Sequence, residues 1–72
     1  MKTMFKLKHE SKIKRLLIAN NHVYNQEFAQ DIVNELKWAL ADCESREDAE
    51  ETICDFLFFL NPTQAIAFIK EE

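Results

Sequence analysis

An all-α fold, a small bundle of about four helices preceded by a short strand or extended arm, is what this 72-residue sequence predicts. Three observations carry that expectation. The chain has no glycine and a single proline, which suits helices joined by short turns. Its hydrophobic fraction of 47% is too high for a disordered segment. Apolar residues also recur at three- and four-residue steps through most of the chain, the period of one helix face.

From the N-terminus, residues 3–9 alternate imperfectly, with Phe5 and Leu7 on one side and Lys6 and Lys8 on the other. A lone strand needs an edge to pair with, so a strand here is expected to pair with its copy in a dimer. Helix 11–20 is expected to start at Ser11 as N-cap and to face inward with Ile13, Leu16 and Leu17. Asn20 and Asn21 form its stop, because Asn tolerates the left-handed conformation, and residues 21–24 make the turn.

Helix 25–43 is capped by Asn25 and carries one apolar face of Phe28, Ile32, Val33, Leu36, Ala39, Leu40 and Cys43. Its opposite face holds Glu27, Asp31, Glu35 and Asp42, and Trp38 falls in the same stripe. Helix 45–60 begins with Ser45 and Asp48 spaced as a capping box, and buries Ala49, Thr52, Ile53, Phe56, Leu57 and Leu60. Glu44, Glu47, Asp48, Glu51 and Asp55 line its far side, and Phe58 continues that stripe. Asn61 caps a closing helix 62–70 with Pro62 in its first position. Ala65, Ile66, Phe68 and Ile69 make that helix a lid on the core, or a cover for Phe58 or Trp38.

A chain of this length forms one domain and buries only about 60% of its unfolded surface, so an oligomer is expected before a monomer. Charge is unevenly spread. Residues 1–15 hold Lys2, Lys6, Lys8, Lys12, Lys14 and Arg15 against Glu10, a net of +5, while residues 16–72 hold three basic and twelve acidic side chains, a net of −9. Such a basic arm can neutralise phosphates or dock on acidic helices of its own or a neighbouring chain, and charge pairing within the assembly is the favoured reading. The apolar run 16–19 is too short for a signal core or a membrane span, which gives the expectation of a soluble, cytoplasmic protein with no membrane partner.

The residues point away from catalysis. Without glycine there is no phosphate-cradling loop of the Walker or dinucleotide-binding type. His9, His22, Cys43 and Cys54 match no compact zinc spacing, and two cysteines on helical segments read as free thiols in a reducing compartment. The carboxylates are spread along solvated faces, where a catalytic pair would need a cleft. No enzyme, cofactor or metal is expected.

Three functions fit this pattern. The first is a protein-binding module whose acidic stripes meet a basic surface, with Trp38 and Phe58 as anchors. Carboxylates three or four apart on a helix lie about 5–6 Å from each other, close to the spacing of phosphates along a nucleic-acid strand. A sharper form is therefore an inhibitor of a nucleic-acid-handling protein, of the kind small phage or mobile-element proteins often are. The second is nucleic-acid binding through Lys2, Lys6, Lys8, Lys12, Lys14 and Arg15. The order strand, helix, helix over residues 3–43 loosely resembles a ribbon-helix-helix repressor, which implies paired strands with Lys6 and Lys8 turned to the major groove. It departs from that pattern in lacking the usual glycine between helices and in having two more helices after them. The third is a homo-oligomeric accessory protein whose aromatics, Trp38, Phe56, Phe58, Phe59 and Phe68, build a subunit interface.

Overall fold

Helix starts in this chain follow the side chains that can cap them. The computed structural model describes residues 4–20 and 23–71; Lys2, Thr3, Asn21 and His22, singled out above, lie outside them, as do Met1 and Glu72. The elements are β1 (Phe5–Leu7), α1 (Glu10–Ala19), α2 (Gln26–Ala41), α3 (Arg46–Phe56), α4 (Pro62–Ala65), a 3-10 turn (Ile66–Phe68) and β2 (Ile69–Glu71). The predicted small helical bundle with a short N-terminal strand is what forms.

Asn25 Oδ1 accepts from the Phe28 amide at 3.1 Å, and Ser45 Oγ accepts from the Asp48 amide at 3.1 Å, so α2 and α3 start where their caps dictate. At α4 both halves of a capping box close: Asn61 Oδ1 accepts from the Gln64 amide at 2.9 Å and Gln64 Oε1 accepts from the Asn61 amide at 3.0 Å. Pro62 occupies the first turn, where its missing amide costs nothing.

Helix α1 departs from expectation at both ends. It starts at Glu10, with His9 rather than Ser11 at the N-cap, and no side chain caps it. β1 ends only two residues earlier, and the chain reverses through His9 in the left-handed region at φ 59, ψ 45. That conformation costs a non-glycine residue about 1–2 kcal/mol. The His9 ring packs edge-on against Phe68, with centroids 6.5 Å apart, and helps hold the reversal. At the other end Asn20 stops α1 differently from the left-handed cap expected of it. Its backbone sits at φ −95, ψ 12, and its Nδ2 donates to the Leu16 carbonyl at 2.9 Å.

The closing helix is shorter than its periodicity suggests. After α4 the chain tightens into the 3-10 turn and then extends as β2, antiparallel to β1 with Phe5 opposite Glu71, Lys6 opposite Lys70 and Leu7 opposite Ile69. The strand partner expected from a second copy thus comes from the C-terminus of the same chain. Pairing here buries Phe5, Leu7, Phe68 and Ile69 together, which a helix through residue 70 would not achieve.

α3 also stops early, at Phe56. The run Phe56, Leu57, Phe58, Phe59, Leu60 would spread around the whole circumference of a helix. Leaving helical geometry at Leu57 (φ −118, ψ 74) lets Leu57 reach the core while Phe59 and Leu60 half-bury against it. The new turn is closed by the Leu60 amide donating to the Leu57 carbonyl at 2.9 Å.

One contiguous apolar cluster joins all of these elements. Ile13, Leu17, Val33, Leu36, Leu40, Ile53 and Leu57 are sealed from solvent, and no polar or charged residue is buried among the described residues. Phe28, expected on the inner face of α2, is half exposed, because Ala29 takes the inward position and Phe28 turns out against Tyr24, with centroids 6.4 Å apart. Among the described residues no helix is long and apolar enough to cross a membrane.

Candidate binding surface

The inner residues of α2 (Ala29, Val33, Leu36 and Leu40) fix the rotation of that helix, and rotation decides what faces out. Glu27, Asp31, Glu35, Trp38 and Asp42 are all exposed as a result, and Asp42 sits at the C-cap. Trp38 is the extreme case, with 81% of its surface in water. It walls an open groove of about 640 Å³ with Asn34, Glu35 and Lys37 among the described residues.

Polar contacts hold the rim of this groove. Lys14 Nζ donates to Gln30 Oε1 at 2.9 Å, and Gln30 Nε2 donates to Asn34 Oδ1 at 2.9 Å, tying α1 to the groove side of α2. Lys37 pairs with Glu10 at 2.6 Å across the start of α1. Both partners are substantially solvated, so the pair is worth at most about 1 kcal/mol and serves mainly to orient Lys37 beside Trp38.

On α3 the stripe Glu47, Asp48, Glu51 and Asp55 is exposed opposite Ala49 and Ile53, and Glu44 is exposed in the loop before the cap. Phe58 is 69% exposed, but it does not continue this stripe. It lies beyond the helix end, in the turn, stacked edge-on against Phe59 at 5.8 Å. The α2 and α3 stripes belong to separate helices joined through inner residues, including Cys43 Sγ and Thr52 Oγ1 at 3.4 Å. The short α4 and its 3-10 turn leave both Trp38 and Phe58 uncovered.

The basic segment divides between surface and seam. Lys6, Lys8, Lys12 and Arg15 are exposed, Lys14 is half-buried at the α1–α2 contact, and Lys12 Nζ lies 6.0 Å from the centroid of the Phe68 ring. Glu10, the lone acid of the segment, bonds Lys37 of α2, and Arg46 Nε of α3 bonds Glu71 of β2 at 2.8 Å.

Both cysteines are free thiols. Cys43 is buried and bonds the Ala39 carbonyl at 3.4 Å. Burial pushes the Cys54 thiol above its ordinary pKa, and the carboxylates of Asp55 and Glu50 push it further, so it is held in the unreactive protonated form. No cluster of three or more His, Cys, Asp or Glu side chains is placed to hold a metal ion among the described residues. A second surface depression, along β1, involves Met4 and Ala41, which no periodicity argument singles out because it depends on how β1 lies against α2.

Compared with known protein families, with curated proteins and with solved structures, the chain matches none.

Proposed function

We propose that this protein is a small non-enzymatic binding module whose acidic α2 face engages the basic surface of a protein partner, with Trp38 as the apolar anchor. The observation that carries this reading is the exposure of Trp38 on an open groove, within a stripe of carboxylates from Asp31, Glu35 and Asp42. A tryptophan contributes little to its own fold when it is so exposed, and a large aromatic ringed by charge is the usual composition of an energetic hot spot. Carboxylates one helical turn apart approximate the spacing of backbone phosphates, so the favoured partner is a nucleic-acid-handling protein whose basic groove the module occupies. The stripe Glu47, Asp48, Glu51 and Asp55 extends the acidic surface available to it.

The test is capture from a lysate of the organism that encodes the protein, using the wild type, Trp38→Ala, and an Asp31→Lys, Glu35→Lys, Asp42→Lys variant, each first sized by light scattering. The expected result is one basic protein retained by the wild type, weakened by either variant, released by added DNA or RNA, and lost as salt rises. Retention that is indifferent to all of these changes rejects the proposal. A wild type that is dimeric and a Trp38→Ala variant that is monomeric would assign the groove to self-assembly instead.

A further inference from the structure

The two-stranded sheet has a second edge. Lys8 donates its amide to the Phe68 carbonyl at 2.9 Å, so Lys8 and Phe68 are a hydrogen-bonded pair of the antiparallel ladder. Such pairs alternate along the strands, which makes Lys6 and Lys70 the next hydrogen-bonded pair and turns the amides and carbonyls of Phe5 and Leu7 away from β2. Those groups face a groove of about 370 Å³ bounded by Met4, Phe5, Lys6 and Leu7 on one side and by Glu10, Lys37 and Ala41 on the other. Their side chains point into the core, so only main-chain groups line the edge itself.

We propose that this edge receives an acidic extended segment of a partner protein as a third strand. Lys6 on the outward face of β1 and Lys8 just past its end flank this edge, while Lys70, opposite Lys6, lies on β2 on the far side of β1. Carboxylates on alternate residues of an incoming strand meet Lys6 and Lys8, while the intervening apolar residues face the groove wall at Ala41. A second copy of β1 is the weaker occupant. The register that pairs Phe5 of one copy with Leu7 of the other sets Lys6 directly against Lys6, at about 4.5 Å between Cα atoms, and the one that pairs Leu7 with Leu7 sets Lys6 against Lys8; the third, pairing Phe5 with Phe5, sets Lys6 against Met4 and gains no charge pairing. Lysines on an edge strand discourage self-pairing, and the same charges select an acidic strand. This site shares Lys37 with the groove beside Trp38 but uses neither Trp38 nor the α2 carboxylates, so Trp38→Ala tells the two apart.

The probe is a synthetic peptide of alternating valine and glutamate, added to the isotopically labelled full chain and followed by amide NMR. Controls are the valine–lysine peptide and a valine–glutamate peptide N-methylated at every second amide. The expected result is a shift and slowed hydrogen exchange at the Phe5 and Leu7 amides with the acidic peptide alone. Binding should be abolished by N-methylation, weakened roughly tenfold by Lys6→Glu, Lys8→Glu, and unchanged by Trp38→Ala. Three results overturn the proposal: no response at Phe5 and Leu7 at millimolar peptide, equal binding of the basic peptide, or shifts at those amides that depend on protein concentration alone, which would give the edge to a second copy.

Discussion

Replacing Trp38 with alanine separates a side chain kept for a partner from one kept for the fold. A fully covered indole buries about 200–250 Å², and Trp38 leaves 81% of its surface in water. Only about 40–50 Å² is therefore at stake in the free chain, or about 1 kcal/mol at about 25 cal/mol per Å². Alanine recovers roughly 0.5 kcal/mol of this through its higher helix propensity. The net loss of about 0.5 kcal/mol lowers Tm by about 2–4 °C in a domain of this size. Were the exposed remainder sealed against a second subunit, the same substitution would remove a further 4–5 kcal/mol or so per chain, and the wild-type Tm would rise with protein concentration. The assay is thermal denaturation followed by circular dichroism, run on both proteins at concentrations about a hundredfold apart. A fall of more than about 10 °C, or a wild-type Tm that tracks concentration and stops doing so in the variant, refutes the assignment of Trp38 to an external partner.

Other substitutions test the frame that presents this face. Ile53 is sealed from solvent, so Ile53→Ala should cost about 2–5 kcal/mol, read as a lower urea midpoint at unchanged m-value. Asn61→Ala removes half of a closed capping box and should cost about 1 kcal/mol, whereas Asn61→Asp should keep most of it. At His9 (φ 59), a β-branched residue is far less tolerated than glycine; His9→Val should lower the urea midpoint clearly and His9→Gly much less, and equal loss in both would mean that the reversal there is not what is strained. The raised thiol pKa of Cys54 predicts alkylation that begins at higher pH than for an unperturbed cysteine. In the folded chain the proton is held to higher pH than in the unfolded chain, so the stability associated with Cys54 is full below the ordinary thiol range and is lost as pH rises through the folded value. Cys54→Ser should flatten that alkaline decline.

Much of the helical frame was legible because its determinants lie within four residues of one another. Asn25, Ser45 and Asn61 cap helices where their positions indicate, and the outward acids of α2 and α3 stand opposite inner residues at the expected spacing. Misreadings cluster where apolar residues crowd together. Periodicity points Phe28 inward, but Ala29 beside it takes the buried position and Phe28 is half exposed. Helical spacing continues the α3 stripe to Phe58, but five consecutive large apolar residues cannot share one face, and the helix ends at Phe56 instead. The exposed state of Trp38 followed from the helical period; the groove beside it did not, because its rim depends on Lys14 and Glu10 reaching across from α1.

The sequence by itself determined the helical class, the caps and the sorting of acids to the outer sides of α2 and α3, since each is settled by local hydrogen bonding and a 3.6-residue period. Tertiary structure alone decided that residues 69–71 become a strand, that the partner of β1 is the chain's own C-terminus, and that the other edge of β1 opens beside α2. The pairing of Phe5 with Glu71 spans nearly the whole chain. Its stability comes from burying Leu7, Phe68 and Ile69 in a common core, a gain that no short window of residues contains.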